Sequence, residues 1–168
     1  EGVTLTIEPG VTIKMLSDKV FQVKGTLIAQ GTSSSKITFT SNASSPSAGD
    51  WDNLKFFDES TDASFSGSSY TSGSILEYCI VEYGKGLYIT KSGPFIHLSE
   101  FRYNSEYGIS VNNDNWSNPT TLVWITQCDV HDNYVGLKSY ATSTERAVFN
   151  YNTVYNNSPK GGIDASYG

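Results

Sequence analysis

The sequence predicts an all-β protein, a right-handed parallel β-helix (β-solenoid) of about seven or eight coils. Two observations carry that prediction: one skeleton is written four times over, and apolar residues alternate locally without ever keeping a helical period. The four copies are "SILEYCIVEYGKGLYI" (74–89), "PFIHLSEFRYNSEYGISV" (94–111), "LVWITQCDVHDNYVGLKS" (122–139) and "AVFNYNTVYNNSPKGGIDA" (147–165). In each, an apolar residue (Leu76, Ile96, Ile125, Phe149) is followed three places on by a small or amide side chain (Cys79, Ser99, Cys128, Asn152). Two further comes a second apolar residue (Val81, Phe101, Val130, Val154), and another three bring a turn residue (Gly84, Asn104, Asn133, Asn157). A glycine then introduces a third apolar position (Leu87, Ile109, Leu137, Ile163). The second apolar position recurs after 20, 29 and 24 residues, so the repeat tolerates insertions between fixed contacts. Units of this length with about three short strands each cannot bury a face alone, and stacking lets them share one interior.

Each position of the skeleton then has a physical task. The three apolar positions point inward and stack on their counterparts. The turn asparagines are placed to form an amide ladder. Gly86, Gly108, Gly136 and Gly162 are expected to supply a backbone conformation that other residues resist. Cys79 and Cys128 occupy the same position two coils apart, roughly 9.6 Å at the strand spacing, which is too far for a disulfide. Both are therefore expected to be unpaired, buried thiols.

The N-terminal half follows the same scheme in other words. "LTIEPGVTIKM", "VFQVKGTLIAQGTSSSKITFTSN" and "GDWDNLKFF" read as strand, tight turn, strand, with Pro9-Gly10, Lys24-Gly25 and Gln30-Gly31 at corners. These phrases resemble bacterial and archaeal cell-surface proteins with parallel β-helix repeats, within the pectate-lyase-like superfamily, over essentially the whole chain. The resemblance speaks for the fold; such scaffolds host lyases, hydrolases, epimerases, adhesins and inert stalks. Two polar stretches, 58–74 and 112–121, are expected to be surface loops extruded from corners.

Composition narrows the function. The 168 residues are read as a single β-helix domain, 1–168, a segment of a larger protein or assembly. A formal charge of −6 and no basic run longer than one residue argue against nucleic acid. No apolar stretch approaches the ~18 residues of a membrane span, and no signal peptide is read, so membrane insertion is not expected. Low Lys content and sequons at Asn42, Asn115 and Asn156 point to an extracellular or cell-surface location.

Stacking makes neighbours of distant residues, so candidate sites are read down columns. One outward column is Glu82, Arg102, His131, Tyr155; another is Glu77, His97, Thr126, Asn150. Glu82 with Arg102, or Glu77 with His97, has the composition of an acid–base pair acting on a polysaccharide; the same pairs serve equally as cross-strand charge pairs on a solvated face. The resemblance implies an Asp cluster for calcium with an Arg or Lys base in a lyase, and no column gathers one. It implies Asp-Pro-His-Glu in an epimerase, where this chain has Asp129-Val130-His131-Asp132. Calcium could be held by Asp50 and Asp52 or by Asp58, Glu59 and Asp62, although ordinary turn-forming acids have the same spacing; no other cofactor is expected. With 11 Tyr and 3 Trp, aromatic platforms for sugar are available at Tyr70, Tyr88, Trp116 and Tyr140. The primary expectation is a non-enzymatic structural or adhesive solenoid, a stalk or filament component that stacks axially on itself or on flanking domains. The alternatives are a secreted polysaccharide lyase, hydrolase or epimerase, or a carbohydrate-binding module.

Overall fold

The computed structural model of the chain describes residues 2–112, 122–140 and 146–166. Every regular element in it is a strand, and no helix is long and apolar enough to cross a membrane among the described residues. The chain lays its strands down in threes. The first three are β1 (Thr4–Ile7), β2 (Thr12–Met15) and β3 (Phe21–Val23). The next are β4 (Thr26–Gln30), β5 (Ile37–Ser41) and β6 (Asn53–Phe56). A hairpin, β7 (Ser64–Ser66) and β8 (Ser69–Ser72), intervenes before β9 (Ile75–Glu77), β10 (Cys79–Glu82) and β11 (Gly86–Thr90). Then come β12 (Phe95–His97), β13 (Glu100–Arg102) and β14 (Ile109–Asn112). The last two sets are β15 (Leu122–Thr126), β16 (Asp129–His131), β17 (Val135–Tyr140), and β18 (Arg146–Asn150), β19 (Thr153–Tyr155), β20 (Gly161–Ser166).

Each set gives one strand to each of three parallel sheets of six. The first sheet runs β1-β4-β9-β12-β15-β18, the second β2-β5-β10-β13-β16-β19 and the third β3-β6-β11-β14-β17-β20. A set will be called a rung. Because side chains alternate across a strand, a constant register makes each inward position a continuous ladder. The first sheet stacks Ile7, Ala29, Leu76, Ile96, Ile125 and Phe149. The second stacks Ile13, Phe39, Val81, Phe101, Val130 and Val154, and the third Phe21, Leu54, Leu87, Ile109, Leu137 and Ile163. The middle members are buried completely or nearly so, each Val, Leu, Ile or Phe among them worth roughly 1.5–3 kcal/mol of apolar transfer. The ladders open at the outer rungs, where Leu5 is 49% and Ile163 70% exposed.

Two expectations are corrected. Residues 58–74 are not a plain loop: the stretch holds the β7–β8 hairpin, whose Phe65 stacks on Trp124 (4.7 Å between centroids) and lies edge-on to Phe95 (5.2 Å). The hairpin forms because those rings gain an apolar surface on the outside of the first sheet. The repeat glycines do not share one backbone conformation. Gly86 alone of the four has a positive φ, +119°; at Gly108 and Gly136 it is space that decides, since a Cβ would collide with Val130 or with the carbonyl of the glycine one rung on. The left-handed positions fall on ordinary residues instead. Tyr78, Leu98, Gln127 and Tyr151 turn the corner between first and second sheets, and Tyr83, Tyr103, Asp132 and Asn156 the corner between second and third, all with φ of 48–60°. Asp132 and Asn156 are types that tolerate this region, whereas the Tyr, Leu and Gln residues lack such a signal and are held in it by the bonded rungs on either side.

Candidate functional site

The outer face of the second sheet concentrates the ionisable side chains. The register places Glu82, Arg102, His131 and Tyr155 in one column, as read from the sequence. Glu100, two residues before Arg102 and on the same face of β13, joins them, as do Lys36 and Thr40 from the second rung. Arg102 Nε donates to Glu82 Oε2 at 2.8 Å, while Nη1 pairs with Glu100 Oε1. Thr40 Oγ1 donates to Glu82 Oε1 at 3.0 Å, and Lys36 Nζ to Glu100 Oε2 at 3.1 Å. His131 sits between Glu100 (Nε2 to Oε1, 3.3 Å) and Asp132 (Nδ1 to Oδ2, 2.7 Å), its ring stacked on Tyr155 at 4.7 Å.

This face is not the solvated surface expected of it. Glu82 and His131 are each only 8% exposed, because long side chains from neighbouring rungs lie over them. Burial raises the Glu100 carboxyl, but the Lys36 hydrogen bond and the charges of Arg102 and Lys36 outweigh it and leave the group below its ordinary value. Both oxygens of Glu82 and both of Glu100 are engaged. A general acid or base must present an oxygen to the proton it moves, so this geometry favours holding rungs together over proton transfer.

The other column repeats the pattern. Glu77, His97, Thr126 and Asn150 are in register on the first sheet. His97 Nδ1 lies 2.9 Å from Glu77 Oε1 and Nε2 3.0 Å from Gln127 Oε1, while the ring stacks on Phe95 at 5.1 Å. Gln30 Nε2 donates to the second Glu77 oxygen at 3.1 Å.

The aromatic candidates are dispersed. Tyr70 belongs to the hairpin; its hydroxyl donates to the Gly73 carbonyl at 2.7 Å and its ring stacks on Phe95, so it is a partly buried packing residue and not a free platform. Tyr88 and Tyr140 stand on the outer face of the third sheet, half-buried, Tyr88 with Lys55 over its ring (4.7 Å) and Tyr140 with Lys138 (4.7 Å). Trp116 lies outside the described residues. The acidic candidates act as turn ligands: Asp50 Oδ2 accepts from Ser41 Oγ (2.7 Å) and Ser47 N–H (3.0 Å), which lowers its carboxyl below the ordinary value. Asp52 pairs with Lys85 at 3.4 Å, Asp62 Oδ1 accepts the Gly93 N–H at 2.7 Å, and Asp58 is exposed. Among the described residues no three His, Cys, Asp or Glu side chains converge as a metal would require.

The two thiols are free and buried, with Ser99 between them in the column. Burial pushes each up to about 12. Sequence reading missed Glu100, Lys36 and Trp51. Glu100 was legible, since it shares the outward phase of Arg102; Lys36 and Trp51 carry no repeat signal. The chain matches no family model, no curated protein and no solved structure.

Proposed function

We propose that the chain is a non-enzymatic structural solenoid, a stalk, adhesin or filament element of an extracellular or cell-surface assembly. The observation that carries this reading is the closure of the outward charges on one another: Glu82, Glu100, Arg102, His131 and Lys36 bond from rung to rung instead of facing a substrate. The winding is right-handed in this reading, since parallel strands joined by a crossover take that hand almost without exception. In this reading the six strands of each sheet stand for six coils, where the sequence counts seven or eight; 42–52 holds no strand and 57–74 only the β7–β8 hairpin. The resemblance to surface proteins of the pectate-lyase-like superfamily supports the location, and the sequons agree with it.

Axial contact, with another copy or a flanking domain, would cover the apolar ladder ends around Leu5 and Ile163 and pair the outer strands. Incubation with a panel of neutral and uronate polysaccharides should yield no product, and Glu82→Gln should lower thermal stability. Turnover of any of them that Glu82→Gln or Glu100→Gln abolishes would replace this reading with the enzymatic one.

A further inference from the structure

From the third rung on, the corner between the second and third sheets begins with a left-handed residue, then the ladder position (Gly84, Asn104, Asn133, Asn157), then a first residue on the way to the third sheet. That last column reads Lys85, Ser105, Tyr134, Ser158. Its register is fixed by backbone bonds from Ser105 N–H to the Gly84 carbonyl (2.9 Å), Tyr134 N–H to Asn104 (3.2 Å) and Ser158 N–H to Asn133 (2.9 Å). A tyrosine therefore stands between serines on the rungs either side, and small neighbours leave open space around a large ring. Two hollows of about 370 and 450 Å³ result; they share Ser105 and Tyr134 and so form one groove across the rungs. Both are shallow and open to solvent, the form of a surface groove and not of an enclosed pocket.

Tyr134 is 40% exposed, and among the described residues no side-chain hydrogen bond or ring contact engages it. Other tyrosines nearby are committed: Tyr155 stacks on His131, and Tyr107 Oη accepts from Asn53 at 3.0 Å. Tyr103, 40% exposed and stacked on Tyr83 at 5.5 Å, walls the larger hollow, where Asp132 and Asn156 supply polar edges. The smaller hollow balances Glu106 and Asp164 against Lys138 and Lys160, so it offers hydrogen bonds without a net field for an anion. Behind the groove the buried amides of Asn104 and Asn133 are bonded at 2.9 Å, which makes its floor rigid.

We propose that this groove binds a neutral saccharide chain, a sugar ring stacking on Tyr134 while ring hydroxyls bond to the carboxylate, amide and ammonium groups of the two hollows. The site does not rest on the structural reading above and uses none of the aromatic residues singled out from the sequence.

The test is titration of the whole chain with neutral linear tetrasaccharides of glucose, mannose and N-acetylglucosamine, and with tetragalacturonate, followed by ligand-observed NMR. At least one neutral probe should bind, and more tightly than the uronate. Tyr134→Ala should weaken it by about tenfold or more, and Tyr134→Phe by less than about threefold. Tyr151→Ala, at an 88% exposed tyrosine outside the groove, should leave binding unchanged. Thermal unfolding of Tyr134→Ala should match the parent, which separates lost stacking from lost structure. Absence of binding by every neutral probe, preference for the uronate, or retention of affinity in Tyr134→Ala would overturn the proposal.

Discussion

The corner between the second and third sheets is closed in two ways along the molecule. From the fourth rung onward it is closed by amides. Asn104 Nδ2 donates to Asn133 Oδ1 (2.9 Å) and to the Val81 carbonyl (3.1 Å); Asn133 Nδ2 in turn reaches Asn157 Oδ1 (3.0 Å) and the Phe101 and His131 carbonyls (2.9 and 2.8 Å). In the second rung the same corner is filled by Trp51, fully buried, with Nε1 donating to the Glu82 carbonyl at 2.9 Å. Gly84 is the junction: its N–H donates to Asn104 Oδ1 at 3.1 Å, while a Cβ there would stand 2.7 Å from the Trp51 ring. The ladder begins with glycine because an indole occupies the space below it. An amide ladder can be copied indefinitely, since each member leaves the donor and acceptor its successor needs; an indole plug works once and needs a glycine above it.

The largest effect expected is at the plug. Trp51→Ala should cost about 3–5 kcal/mol, from the cavity and the lost indole hydrogen bond to the Glu82 carbonyl. Urea denaturation measures the loss, and hydrogen exchange should show the first two rungs opening ahead of the rest, as solenoids with nearest-neighbour coupling do. Uniform loss of protection would mean that plug and ladder form one cooperative unit.

Asn133→Ala comes next, at about 2–4 kcal/mol, because it removes the acceptor of the Asn104 N–H, one of the two acceptors of the Asn104 amide, and the side-chain donor to the Phe101 and His131 carbonyls. Asn157→Ala, in the half-open last rung, should cost about half as much. An equal or larger loss at Asn157 would show that bonding to both neighbouring rungs adds nothing.

The ladder was legible in the sequence and the plug was not, for a physical reason. Asn104, Asn133 and Asn157 repeat at one offset from Phe101, Val130 and Val154, and identical environments select identical residues. Trp51 solves a local problem once, so no period marks it. The same holds for Phe65 and Tyr70, hidden in a Ser- and Gly-rich stretch that reads as loop, and for the left-handed Tyr83 and Tyr103, whose side chains advertise nothing about φ. The outward columns were read in the correct register; their burial was not, because Lys36 and Thr40 reach Glu100 and Glu82 from more than 40 residues away in sequence. Tyr134 left a trace, a large residue between Ser105 and Ser158, visible only once the column after the ladder is written out.

A third effect tests whether the charged column holds the two halves together, since Lys36 lies in the plugged region and Glu100 in the ladder region. Glu100 is lowered in the folded chain from 4.5, so its contribution is present above that pH and fades as pH falls through the lower folded value. Glu100→Gln should therefore destabilise by on the order of 1 kcal/mol near neutral pH and by progressively less below about pH 4.5. A pH-independent difference between the two proteins would assign the loss to packing instead of charge.

The smallest effect concerns the opposite corner, between first and second sheets, where the column Cys79, Ser99, Cys128, Asn152 does the ladder's work with mixed chemistry. Ser99 Oγ accepts the Cys79 N–H (3.0 Å) and donates to the His97 carbonyl (2.8 Å); Asn152 Oδ1 accepts the Cys128 N–H (2.9 Å). The Cys128 thiol makes the same kind of contact, 3.4 Å from the Thr126 carbonyl, so a hydroxyl of similar size should replace it. Cys128→Ser should change stability by less than about 1 kcal/mol, far below the amide deletions. The native thiols should resist a thiol reagent, because burial holds them near 12 and thiolate is scarce at neutral pH; both should react once the chain is unfolded without reductant. A loss above about 2 kcal/mol in Cys128→Ser would mean that this corner, unlike the asparagine ladder, depends on the particular volume of sulfur and not on an interchangeable polar contact.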